Sequence, residues 1–165
     1  MKISTRQLAL CAVLTALALG LSTLENLFPV TLVIPLPGVK LGLANIVTVF
    51  ALYQLGPLPA LCILAARCLL GSLFAGNASA LLFSLLGGTL AMLVMLALSR
   101  LPGLSVYGVS IGGHNIGQMA AALITLGNTA VLGYLPFLLA VSLFTGALTG
   151  FVSALLLRAI SHVKL

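Results

Sequence analysis

Long apolar runs, separated by short clusters of glycine, proline and asparagine, account for most of this chain. A bilayer core takes about 20 apolar residues per helix. On that pattern the sequence predicts six helices, at about Thr5–Leu24, Leu41–Leu55, Leu58–Phe74, Ser79–Leu98, Gly108–Leu126 and Gly133–Ile160. Ser22, Thr23 and Glu25 close the first run. Gly56-Pro57 alone separates the second from the third, which predicts a tight hairpin. Later breaks fall at Gly76-Asn77, at Ser99-Arg100 before Pro102-Gly103, and at Gly127-Asn128. The expected fold is an all-α integral membrane protein, with residues 1–165 forming one transmembrane domain of six transmembrane helices. A five-span arrangement, with the short second segment re-entrant, is the alternative.

Composition supports the membrane reading. Charged residues make up 5% of the 165, against roughly 25% in soluble domains, so most of the outer surface must face lipid. Seven basic residues and one acid give +6. The basic residues are isolated singles, which argues against a nucleic-acid patch. Glu25 is the sole acidic side chain and there is no Asp. Paired-carboxylate catalysis, a two-carboxylate Mg²⁺ site and a Ser–His–Asp triad are thereby excluded. No GxxxxGK[ST] run is present for ATP. Cys11, Cys62 and Cys68 form no CxxC and read as small buried apolar residues. The chain is expected to be non-catalytic, with no metal and no cofactor.

The first segment follows Lys2 and Arg6, as a signal peptide does. Its long apolar stretch and the lack of a small-residue cleavage site predict a retained helix. With six spans, Lys2, Arg6, Arg100, Arg158 and Lys164 share one side and Lys40 lies on the other. The positive-inside rule then puts both termini in the cytoplasm. Five spans would split the same charges between the two sides.

Between Glu25 and Lys40 the chain reads ENLFPVTLVIPLPGVK. Pro29, Pro35 and Pro37 rule out a membrane helix, yet the stretch is apolar. It is either a hydrophobic plug at the interface or a lid over a pocket.

Polar residues inside spans are costly and mark candidate sites. Arg67 lies within the third span and must find an anion or acceptors. Glu25 could pair with it structurally, or Arg67 could meet an anionic substrate with help from Lys40. In the fifth span, His114, Asn115 and Gln118 lie near one helical face. They are either hydrogen-bonding glue between helices or a ligand-binding face. Asn45 in the second span would add to a polar vestibule, with Asn77 and Asn128 as weaker candidates. A lone histidine without cysteine or carboxylate neighbours is not a metal set. Small residues also recur: Ala12, Ala16 and Gly20 along the first helix, Gly146 and Gly150 on the last, and the Gly87-Gly88 notch on the fourth. Such stripes allow close helix approach, within the chain or to a second membrane protein.

The runs KLGLANIVTVFALYQLG (40–56), Arg67 with LLGSLF after it, FSLLGG (83–88) and GVSIGGHNIGQ (108–118) resemble one family over most of the chain. It is the Gx transporter family, often labelled heptaprenyl diphosphate synthase component I. That family is grouped with the substrate-binding S components of energy-coupling factor (ECF) transporters. The resemblance implies a six-helix, S-component-like bundle in a bacterial cytoplasmic (inner) membrane. It implies an outward-facing pocket under the first loop, and an AxxxA motif on the first helix, matched by Ala12 and Ala16, that docks a membrane coupling subunit. ATPase subunits would supply the energy for uptake of a small molecule. Prenyl diphosphate synthases hold diphosphate through Mg²⁺ on Asp-rich motifs, and this chain has no Asp. The synthase label therefore fits, at most, a non-catalytic accessory subunit in prenyl diphosphate or quinone metabolism.

Overall fold

Each apolar run becomes a helix in the computed structural model, which describes residues 4–27, 42–76, 78–126 and 135–160. In chain order the helices are α1 (Thr5–Leu27), α2 (Ala44–Gln54), α3 (Pro57–Ala75), α4 (Ala78–Ser99), α5 (Val106–Leu126) and α6 (Leu135–Ile160). Leucine and alanine, both strong helix formers, are the commonest residues in α1, α3, α4 and α6. Pro57 sits at the first position of α3, where its missing N–H costs no bond.

The end of α1 departs from the sequence expectation. Ser22, Thr23 and Glu25 do not stop the helix. Thr23 Oγ1 donates to Leu19 O at 2.9 Å, so its hydroxyl is satisfied within the helix. Glu25 is buried and reaches sideways to the start of α2. The Pro-rich stretch after Leu27 lies outside the described residues, as do Lys40, Asn77 and Asn128.

The α2–α3 hairpin forms as the dipeptide at its turn predicts. Gly56 takes φ +92°, and the N–H groups of Leu55 and Gly56 both donate to Ala51 O, at 2.8 and 3.1 Å. A side chain at Gly56 would be strained by that φ.

Helix directions follow from which residues meet. On α4 and α5, Leu98, Met95 and Ala91 face Gly112, Gly113 and Gly117 in that order, so the helices are antiparallel. Ser110 meets Thr149 and His114 meets Thr145, so α5 and α6 are antiparallel. Leu64 faces Gly88 and Cys68 meets Ser84, which reverses α4 against α3. Leu19 instead faces Gly71, and Cys11 lies within electrostatic range of Cys62, so α1 and α3 run parallel. The six directions alternate along the chain.

The surface is apolar and the interior carries the polar groups. Leu8, Val13, Leu73, Phe74, Phe144 and Phe151 are exposed, while Asn45, Ser110, His114, Thr145, Thr149 and Ser153 are buried. A soluble bundle has the opposite arrangement. Three of the described helices (α1, α3 and α6) are long and apolar enough to cross a membrane. The protein is an all-helical membrane protein. Cys62 corrects the expectation of buried cysteines. Cys68 is buried and Cys11 is partly buried, but Cys62 is exposed on α3, beside Leu58 and Leu61, where a thiol is as acceptable to lipid as its neighbours.

Helix α2 is different in kind. All residues from Ala44 to Leu52 are buried, and the helix touches each of the other five. At 11 residues it is about 16 Å long, half the roughly 30 Å of a bilayer core. Asn45, in its first turn, meets Arg67 near the middle of α3 and His114 near the middle of α5. Helix α2 therefore begins at mid-height and fills one half of the bundle.

Candidate functional site

The start of α2 is built from Gly42, which sequence reasoning passed over, and from Glu25, whose role there it did not foresee. Gly42 has φ +78°, a conformation an L side chain rarely adopts. A Cβ there would fall on the His114 ring at Cε1 and lie 2.8 Å from its Nδ1. Glycine is thus required twice, for the turn and for the approach. Its carbonyl accepts the Asn45 N–H at 2.8 Å, which turns the chain into the helix. No side chain of the N-cap residue Leu43 caps the helix. Glu25 Oε1 of α1 instead accepts the Leu43 N–H. A carboxylate suits that place, because the helix N-terminus carries a partial positive charge.

From Asn45 a line of hydrogen bonds crosses four helices. Arg67 Nη2 donates to Asn45 Oδ1 at 3.0 Å. Asn45 Nδ2 lies 3.1 Å from His114 Nδ1, and His114 Nε2 lies 2.9 Å from Thr145 Oγ1. Thr145 Oγ1 also reaches Ser142 O at 3.3 Å within α6. His114 and Thr145 are each 1% exposed, so these bonds are shielded from bulk solvent. A second pair, Ser110 and Thr149 at 2.7 Å, joins α5 to α6, and Ser153 Oγ donates to Ile46 O of α2 at 3.4 Å.

Arg67 is partly buried with Cys68 beside it, and its Nε is a buried donor with no hydrogen-bond partner among the described residues. The Gly88 notch makes room for it: a Cβ there would lie 2.8 Å from Leu64 Cδ1 and 3.7 Å from Arg67 Nη2. Glu25 is close enough for its charge to act on the guanidinium. Two further buried oxygens, Thr48 Oγ1 and Asn115 Oδ1, also lack partners among the described residues.

Of the residues singled out from sequence, Arg67, Asn45 and His114 come together. Asn115 makes no contribution to the line. It follows His114 directly, which turns its side chain about 100° around the helix. The Gln118 side chain and Lys40 lie outside the described residues. The stripes differ in what they meet. Gly146 and Gly150 pack on α5, where added Cβ atoms would lie 2.9 Å from Ile111 Cα and 3.1 Å from Tyr107 Cα. Ala12 and Ala16 are exposed, and a Cβ at Gly20 would have nothing within 4 Å. Thr145 was missed, although Ser142, Thr145, Thr149 and Ser153 recur at helical spacing on an otherwise apolar helix. Gly42 and the capping role of Glu25 left no comparable trace.

Among the described residues no three of His, Cys, Asp and Glu come together as a metal site. The arrangement can orient a guanidinium and offer it to an acceptor.

A family model described as heptaprenyl diphosphate synthase component I matches residues 14–156. No curated protein and no solved structure matches the chain.

Proposed function

Because the chain belongs to the heptaprenyl diphosphate synthase component I family, its role is to be sought in a membrane subunit, and we propose that it is the substrate-binding S component of an ECF-type importer. It captures a small molecule on the outer side, and partner ATPases drive uptake. The observation that carries this reading is the buried Nε–H of Arg67, without a partner among the described residues at the height where α2 begins. A buried donor without an acceptor is costly. A ligand with an oxygen acceptor, anionic or amphipathic, would satisfy it. Apolar walls would supply the remaining affinity.

Six alternating helices and a five-to-one bias of basic residues support a topology with both termini in the cytoplasm. The end of the bundle that α2 leaves unfilled then faces outward. The exposed small-residue stripe of α1 suits close docking of a coupling subunit. Asn45 and Arg67 are the site residues in this reading, with Asn115, Gln118 and Lys40 as further candidates.

A second reading follows from the family's description: a non-catalytic membrane subunit beside a soluble prenyl diphosphate synthase. One purification separates the two. The native complex is isolated by a tag on this chain, and its proteins and small molecules are identified by mass spectrometry. Wild type should bring down ATPases, a membrane coupling subunit and a ligand. Ala12→Trp with Ala16→Trp should lose the protein partners and keep the ligand. Arg67→Met should keep the partners and lower ligand affinity about 10- to 150-fold, the range for a charge-assisted hydrogen bond of roughly 1.5–3 kcal/mol. An Asp-rich synthase in place of the ATPases would overturn the importer reading and support the second.

A further inference from the structure

The line through the core has a direction that chemistry alone assigns. Arginine has donors and no acceptor, so the atom of Asn45 facing Arg67 at 3.0 Å is its carbonyl oxygen. The other end of that amide, Nδ2, can only donate. His114 Nδ1, 3.1 Å away, must therefore carry a lone pair. In a neutral imidazole the proton then sits on Nε2, which donates to Thr145 Oγ1 at 2.9 Å. The Thr145 hydroxyl passes its own proton to Ser142 O at 3.3 Å. Reversing the Asn45 amide would set two donors against each other at Arg67.

We propose that His114 is a positioning residue and not a ligand contact: its ring, fixed as the Nε2–H tautomer, holds the Asn45 amide in the one orientation that accepts from Arg67. Both ring nitrogens are spent within the chain. The ring is 1% exposed, and Gly42 lies too close to its Cε1 edge to admit even a methyl group. No hydrogen-bonding atom of the ring is left for a ligand. Thr145 is the far anchor, and the sequence reading of His114 as a binding group is replaced. The inference builds on the proposed role of Arg67 only in naming what is positioned. Its test needs no ligand and no partner protein.

The test is ¹⁵N NMR of histidine-labelled protein in lipid nanodiscs at neutral pH. His162→Gln removes the second histidine of the sequence, so every histidine signal belongs to His114. The expected spectrum has a pyridine-type Nδ1 and a pyrrole-type Nε2. Thr145→Val should leave that pattern in place, because the tautomer is dictated from the Arg67 side. Asn45→Asp leaves Arg67 an acceptor but offers none of its own donors to the ring. The pattern should then reverse, with the proton on Nδ1. A pyrrole-type Nδ1 in the parent protein would overturn the inference. So would an unchanged pattern in Asn45→Asp, or a reversal caused by Thr145→Val. Copurification of an Asp-rich synthase in place of ATPases, with the expected spectra intact, would instead count against the importer reading alone.

Discussion

Helix α5 presents two faces, and only one of them adds side-chain hydrogen bonds to close packing. Toward α4 it offers Gly112, Gly113 and Gly117, and the contact exists because side-chain volume is missing. Toward α6 and α2 it offers Ser110 and His114, and there donors find acceptors across a contact that Gly146 and Gly150 of α6 also bring close. The first face has no angular preference beyond shape, whereas the second fixes which atom points where. In lipid, apolar association between helices has no hydrophobic drive, so close packing and hydrogen bonds are what remain to define the bundle. The α4 face sets how near the helices come, and the α6–α2 face sets their rotation.

The largest effect should come from filling the α4 face. A Cβ on Gly117 would stand 2.5 Å from Ala91 Cα and 2.6 Å from its N, against backbone that cannot move aside. Gly117→Ala should cost about 3 kcal/mol or more, the upper range for overpacking, and show as loss of a monodisperse, folded species in detergent. At Gly112 the obstacle is Leu98 Cδ1 at 2.6 Å, the free end of a flexible side chain. Gly112→Ala should cost less than about 1 kcal/mol, since a rotamer change clears it. Equal costs at the two positions would mean that backbone approach does not control this face.

The polar face should be broken next at its tightest point. Gly42→Ala forces a side chain into a left-handed conformation, at about 1–2 kcal/mol, and also pushes on the His114 ring. Thermal melting should fall accordingly. The decisive comparison is with Gly20→Ala, at an open position with nothing within 4 Å, which should melt like wild type.

The smallest effect should be the single hydrogen bond between Ser110 and Thr149. A cycle of Ser110→Ala, Thr149→Val and the double variant should give a coupling of about 0.6 kcal/mol, the average for such bonds in membrane proteins. A coupling of several kcal/mol would show that the polar face acts as one cooperative unit rather than as separate bonds.

How much of this was legible depends on the residue. Arg67, Asn45 and His114 could be picked out because each is expensive in an apolar helix. Their partnership could not, since they lie on three different helices and no local spacing relates them. Glu25 was legible as the lone acid but not as the cap of α2, because nothing in its own helix marks a role performed elsewhere. Ala12 and Ala16 read as a stripe that could pack inward or outward, and exposure came only with the positions of α2 and α3, which cover the other side of α1.

The sequence by itself determined the class of the molecule. Apolar runs with so few charges can satisfy their backbone in lipid only as helices, and glycine–proline breaks divide them into six. Tertiary structure decided what the short second helix does. Its 11 residues are mostly apolar on every side and carry no periodicity that names a partner. Only packing against the other five helices starts it at mid-height, sets Asn45 between Arg67 and His114, and gives each polar atom of that line the one neighbour whose chemistry it can accept.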